Sequence, residues 1–186
     1  MRVISGTARG HKLKAPEGLH TRPTADRIKE DLFNILPAVC IKGTAFLDLY
    51  SGSGAIGIEA LSRGAGLACF VDNNKAAIKV ITENITRTRL AERGEIIHKP
   101  VMDALAMLAK HGRKFSAIFM DPPYNSDEWM AVLDIAGANG LLEDGGICIV
   151  ECAKKSAAGT IRPAFDCFRI KEYTQSRLLF FRMISE

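Results

Sequence analysis

FLDLYSGSGAIGIEA, residues 46–60, decides how the rest of the chain is read. Its apolar start, Phe46, Leu47 and Leu49, has the pattern of a buried strand. The run breaks into Ser51-Gly52-Ser53-Gly54, after which Ile56, Ala60 and Leu61 recur at helical spacing. Gly52, Gly54 and Gly57 therefore spell G-x-G-x-x-G at a strand-to-helix turn. The first two glycines allow a tight turn and let a ligand approach main-chain N–H groups. The third lets helix and strand pack closely, and the helix N-terminus favours negative charge. Glycines in this pattern also occur in ordinary turns, so the residues downstream have to decide.

The next apolar run, 67–71, reads as a second buried strand and ends at Asp72. Asp72 stands 20 residues after Gly52. That is where a nucleotide-binding fold places the carboxylate for the ribose hydroxyls. Strand, glycine turn, helix, strand and acid together imply a nucleoside cofactor.

Outward from this unit, strands and helices alternate. Strands are expected at 44–49, 67–71, 95–98, 115–120 and 147–150, with helices at 54–63, 74–90, 103–110 and 129–138 between them. Two β-like runs, 165–173 and 177–184, follow without a long helix and read as an antiparallel hairpin. Asp144-Gly145-Gly146 reads as a turn. The result is an α/β fold with a mostly parallel, twisted sheet covered on both faces. Ahead of it, 2–6 and 11–14 read as a small β-hairpin. A helix carrying Ile28, Leu32, Ile35 and Leu36 follows, with Thr24 as its N-cap. The expected domains are a basic hairpin arm, 1–22, and one cofactor-binding domain, 23–186.

With 186 residues, 47% of them hydrophobic, the chain is long enough for one domain with a real core. No run is long and apolar enough for a membrane span, and the first residues do not form a signal peptide. The five cysteines lie mostly in apolar runs and form no C-x-x-C pair, which suggests buried thiols in a cytoplasmic protein. The four histidines show no metal-ligand spacing, and no metal is expected. Net charge is +4. Residues 1–22 hold Arg2, Arg9, Lys12, Lys14 and Arg22 against Glu17 alone, five minus one, and so carry the whole excess. A basic segment on a neutral body suggests a polyanionic partner, although a solvated tail has the same composition.

Asp121-Pro122-Pro123-Tyr124 directly follows the fourth strand. Prolines just past a buried strand make a stiff loop at the carboxyl edge of the sheet, where open α/β folds bind ligands. A carboxylate (Asp121), an unpaired carbonyl (Pro122) and a flat ring (Tyr124) suit a planar base with an exocyclic amine. A rigid turn with a core tyrosine is the plainer alternative.

D-L-Y-S-G-S-G-A-I-G-I-E-A followed by D-P-P-Y resembles the Rossmann-like class I S-adenosylmethionine-dependent methyltransferases that modify exocyclic amines. The beginning of the chain narrows the resemblance. Arg2-Val3-Ile4-Ser5-Gly6-x-x-Arg9-Gly10-x-x-Leu13, then Arg22-Pro23-Thr24-x-Asp26-Arg27-x-x-Glu30-x-Leu32-Phe33-Asn34, is similar to the bacterial 16S rRNA guanine-N2 methyltransferase family over essentially the whole chain. The chain departs from that pattern at Ser5, usually glycine, at His11, where a basic residue is common, and at Asp72, where glutamate is frequent. The resemblance implies S-adenosyl-L-methionine as cofactor. Asp48, Ser51, Gly52 and Gly54 would line its methionine part, and Asp72 with Asn73 its ribose. Asp103 would meet the adenine amine and Met102 the adenine face, Asp103 being equally readable as a helix N-cap. Asp121, Pro122 and Tyr124 would hold the target guanine. Arg9, Lys12, Lys14 and Arg22 would meet 16S rRNA, within a small-subunit particle, and the protein would act as a monomer.

An NAD-dependent dehydrogenase would explain the glycine turn and Asp72 but not Asp121-Pro122-Pro123-Tyr124. An N6-adenine or other amine methyltransferase shares both motifs. A noncatalytic RNA-binding assembly protein of the same fold would not need both motifs intact.

Overall fold

The computed structural model describes residues 1–16, 26–123, 128–155, 161–162 and 164–184. In chain order the elements are α1 (Asp26–Ile35), β1 (Ala45–Leu49), α2 (Ala55–Ser62), β2 (Leu67–Asp72), α3 (Lys75–Arg87), β3 (Gly94–His98), α4 (Val101–Lys110), β4 (Phe115–Met120), α5 (Glu128–Ala138), β5 (Leu142–Ala153), β6 (Ile161–Arg162), β7 (Phe165–Glu172) and β8 (Ser176–Met183). No helix among the described residues is long and apolar enough to cross a membrane.

The eight strands form one sheet in the order β3-β2-β1-β4-β5-β8-β7-β6. Strands β1 to β5 pair in parallel, and β8 reverses against β5, with β7 antiparallel to β8. The expected α/β sandwich and terminal hairpin are both present. The chain order reverses between β1 and β4, and such a switch point opens a crevice at the carboxyl ends of the strands.

Period-two alternation divides the core between the two faces. Phe46, Phe70, Phe119 and Ile149 pack with α1, α2 and α3 on one side. Leu47, Val71, Met120 and Val150 pack with α4 and α5 on the other. Each central strand is therefore apolar on both faces, which is why the sequence shows runs rather than alternation.

All eight residues of α2 are buried. A helix buried all round must be covered on every side. Here the sheet covers one side and residues 1–14 the other. That segment closes into a hairpin through the bridge Arg2–Lys12, with Val3 donating its N–H to the His11 carbonyl at 3.0 Å. Val3, Ala8 and Leu13 are buried in the α2-side core. The Glu59 carboxylate accepts the N–H groups of Ile4 and Ser5 at 2.8 and 2.9 Å, and the Ser62 hydroxyl accepts that of Ala8 at 2.9 Å. Lys29, fully buried, lies 3.7 Å from Glu59 and donates to the Arg2 carbonyl. The basic N-terminal segment is thus strapped onto α2.

Three local expectations change. α4 begins at Val101, so Asp103 sits in its first turn, and Pro100, extended at ψ 144°, holds the N-cap position. The N-cap reading of Asp103 is corrected accordingly. β5 runs from Leu142 rather than from 147. Leu142 pairs with Phe115 and Ile147 with Ala117, so Asp144-Gly145-Gly146 bulges out of a strand that continues past it. The two-residue β6 had no signal of its own. The Thr24 N-cap lies outside the described residues.

Candidate functional site

The turn after β1 carries three departures to positive φ: Tyr50 at 57°, Gly52 at 56° and Gly54 at 75°. Gly52 and Gly54 adopt this region freely, whereas Tyr50 is strained there, and such strain clusters at functional sites. A Cβ on Gly52 would meet only the Tyr50 carbonyl, at 3.9 Å, so the space over this residue is open to a ligand. Gly57 is different. A Cβ there would come within 2.3 Å of the buried Phe70 ring, so glycine sets how closely α2 approaches β2.

Polar side chains fix the turn from below. The Ser51 hydroxyl lies 2.6 Å from the Asp48 carbonyl and accepts the Val71 N–H at 2.9 Å. Ser51 thereby clamps β1 to β2, and what it leaves for a ligand is backbone. The Asp72 carboxylate accepts the N–H of Gly52 with one oxygen and that of Asn74 with the other, both at 2.8 Å. Each oxygen keeps a second lone pair, so the site can still accept bonds from two hydroxyls. Asn73 is exposed, and its carbonyl lies 3.2 Å from His98 Nε2. Asn74 caps α3 by accepting the Ala76 N–H at 2.8 Å.

Asp48 is 1% exposed and accepts the Gly57 N–H at 2.9 Å. Burial pushes its carboxyl up to about 8, against the pull of that hydrogen bond and with a further push from Asp72. Asp121, the first residue past β4, is raised well above the usual carboxylate range by burial, then by the charges of Glu151 and Asp48. Pro122 beside it is buried. Asp48, Asp72 and Asp121 therefore converge on the crevice at the switch point. Met102, 37% exposed, and the exposed Asp103 lie on the first turn of α4 beyond β3, farther along the same edge. Tyr124 lies outside the described residues.

Among the basic residues, Arg9 and Lys12 are exposed. Lys14 reaches Glu83 on α3 at 2.7 Å. Arg22 lies outside the described residues. The strap also touches the glycine turn. Asn84, fully buried on α3, donates to the carbonyls of both Lys14 and Ser53, at 3.0 and 2.9 Å, and accepts the Lys14 N–H at 2.9 Å. The basic segment and the turn thus share one buried side chain.

Sequence reasoning passed over Asn84, Glu59 and Glu151, the last only 2% exposed on β5. Each left the same trace: a lone polar residue where the periodicity demands an apolar one, as in Ala77, Ile81, Asn84 and Ile85 along one face of α3.

The family described as conserved hypothetical protein 95 matches residues 1–182. The Escherichia coli K12 ribosomal RNA small subunit methyltransferase D is 32% identical over 171 residues, 92% of this chain and 84% of that one. A Bacillus subtilis protein provisionally named as an rRNA methyltransferase, YlbH, is 39% identical over 81% of this chain and 82% of its own. Among solved structures, hypothetical protein TTHA0928 of Thermus thermophilus superposes with a TM-score of 0.82 at 31% identity, covering 97% of this chain and 98% of that one. Arriving at the same place as the residues of the crevice, these likenesses mean that the chain belongs to the conserved hypothetical protein 95 family, that of the bacterial small-subunit ribosomal RNA methyltransferases.

Proposed function

We propose that this protein transfers a methyl group from S-adenosyl-L-methionine to the exocyclic N2 of a guanine in 16S rRNA. The observation that carries the proposal is the convergence of Asp72, Asp48 and Asp121 on one crevice, beside a glycine turn with open space above Gly52.

The donor set fits the cofactor. Asp72 and Asn73 would meet the ribose. Asp48 and the backbone of Ser51, Gly52 and Gly54 would flank the methionine part, where buried carboxylates suit a positively charged sulfonium. Met102 and Asp103 would face the adenine. When bound, S-adenosylmethionine supplies an electrophilic methyl group. The protein's task is to present the acceptor. A guanine N2 lone pair is delocalised into the ring and is a poor nucleophile. N–H bonds donated to Asp121 and to the Pro122 carbonyl would localise that lone pair and aim it. Positioning of this kind supplies roughly 7–11 kcal/mol in favourable intramolecular cases. Tyr124 would stack on the base, worth about 1–3 kcal/mol. Asp121, with its raised proton affinity, would take the proton that N2 sheds.

A pocket that grips one base cannot select one guanine among many, so contacts to the flanking backbone must do so. Arg9, Lys12, Lys14 and Arg22 are proposed for that role, acting from a segment fastened beside the glycine turn. The substrate would be 16S rRNA within a small-subunit particle, met by a cytoplasmic monomer.

The test is nucleoside mass spectrometry of 16S rRNA from a deletion strain complemented with the parent protein or with Asp121→Ala. One N2-methylguanine should vanish on deletion, return with the parent and stay absent with the variant. Its persistence in the deletion strain would overturn the proposal.

A further inference from the structure

Four carboxylates lie toward the carboxyl ends of adjacent strands: Asp72 on β2, Asp48 on β1 two residues further in, Asp121 just past β4 and Glu151 on β5. The roles above use the first three. Glu151 is buried in the run Ile149-Val150-Glu151-Cys152, a costly place for a charge. Met120 pairs with Val150, so the next position on each strand sets Asp121 alongside Glu151. Neighbouring strands lie about 4.8 Å apart. Met120 and Val150 face α4 and α5, whereas Phe119 and Ile149 face α1 to α3. Alternation therefore puts Asp121 and Glu151 on the same side of the sheet, that of Asp48 and Asp72.

We propose that Glu151 is a positioning residue for methyl transfer that acts through Asp121, its carboxylate making Asp121 a proton acceptor as well as a hydrogen-bond partner of the target amine. This inference rests on the assignment of Asp121 to that amine. As the N2–C bond forms and the S–C bond breaks, the nitrogen must shed one proton. The N–H electron pair stays on nitrogen, and the proton passes to the Asp121 carboxylate and then to solvent. An aspartate of ordinary acidity accepts a proton poorly near neutral pH, and an efficient base has a pKa near the working pH. Glu151 is the foremost charge raising the proton affinity of Asp121, ahead of Asp48.

The other charged groups around this pair come from several elements. Leu178 on β8 lies opposite Glu151, with Arg177 next to it. Beyond them the Tyr173 hydroxyl donates to Asp31 on α1 at 3.0 Å, and Lys171 lies 3.7 Å from the same carboxylate. Tyr173 is held in its neutral form by burial, by Asp31 and by Glu151, against Arg27. The negative charge of Glu151 is thus felt on both its flanks.

Glu151→Gln keeps the shape and removes the charge. Its kcat should fall about tenfold, part of the roughly 10²–10⁴-fold a general base supplies, while affinity for S-adenosylhomocysteine stays within about twofold. The acidic limb of kcat against pH should move to lower pH, because a less crowded Asp121 gives up its proton sooner. Glu151→Asp should return the limb toward its original place. A role confined to packing would leave the limb where it is, and an unmoved limb in Glu151→Gln overturns the proposal. Should that variant not fold, carboxyl ¹³C titration of the parent decides: Asp121 must lose its proton only after Glu151 has ionised, and the reverse order overturns the coupling. That titration needs no RNA, so it separates failure of this inference from failure of the assignment to guanine.

Discussion

Asp48→Asn should make the ligand-free protein more stable above neutral pH and flatten its pH dependence. The Asp48 carboxyl is 1% exposed, and burial lifts its pKa to about 8. In the unfolded chain it returns to about 3.9. Between these values the folded protein holds a proton that the unfolded chain has lost. The contribution to stability is therefore fully present below the unfolded value and drains away as pH rises through about 8. Integrated between about pH 6 and pH 8, the loss is about 2 kcal/mol. For a chain of this size that moves the melting midpoint by roughly 4–8 °C. Asp121, raised in the same direction, drains with the same sign, so the informative quantity is the difference between variant and parent. Asparagine can still accept the Gly57 N–H, which limits structural damage. Thermal melts of both proteins at several pH values are the assay. The curves should lie close together in mild acid and separate as pH rises, the variant above. Parallel curves would refute the reasoning. Above about pH 8, where the Asp48 carboxyl is ionised, Asp48→Asn should also weaken S-adenosylmethionine binding more than that of S-adenosylhomocysteine, because only the former carries the sulfonium charge.

Gly57→Ala gains up to about 1 kcal/mol of helix propensity but forces a methyl into the Phe70 ring, an overpacking cost of roughly 1–3 kcal/mol. Net destabilisation is expected in thermal melts, with partial recovery in the double variant Gly57→Ala/Phe70→Leu; a single variant as stable as the parent would remove the packing role of Gly57. Arg9→Glu and Lys12→Glu should weaken RNA binding and lower its salt dependence by roughly 0.7–0.9 in the log–log slope for each phosphate no longer neutralised. These two are cleaner probes than Lys14, whose charge is engaged with Glu83. Unchanged affinity in folded variants, measured by filter binding across salt concentrations, would reject the docking role.

The parts of the fold that depend on short stretches were legible in the sequence. Each central strand is buried on both faces and appears as an unbroken apolar run, and the glycine turn declares itself because φ is positive at Gly52 and Gly54. Asp72 and Asp121 stand out because each immediately ends such a run. Strand β5 reads too short, since Asp144-Gly145-Gly146 has turn chemistry and only pairing with β4 shows the strand resuming on the far side. The buried polar residues are opaque for a different reason. Glu59 is only a polar residue out of place in an apolar helix until the Ile4 and Ser5 amides, more than fifty positions away, are placed against it. Glu151 gains meaning only from the strand order that sets β5 beside β4. Spacing within a segment reports on that segment, and partners assembled by topology leave only a misplaced polar letter.

The strap over α2 has a consequence for how the chain is made. Residues 1–14 leave the ribosome well before their anchors: Glu59 for Ile4 and Ser5, Ser62 for Ala8 and Asn84 for Lys14, the last 70 positions on. Until Glu59 and Ser62 have emerged, nothing on α2 holds this segment, and its Lys14 end stays unanchored until Asn84 follows. Vectorial synthesis thus makes this piece wait for partners made well after it. In the finished molecule it is held mainly by a few side chains around Glu59 and Asn84 rather than by a strand ladder, so it belongs among the units that open before the sheet does. Because Asn84 also holds the Ser53 carbonyl, each such opening would loosen the glycine turn with it.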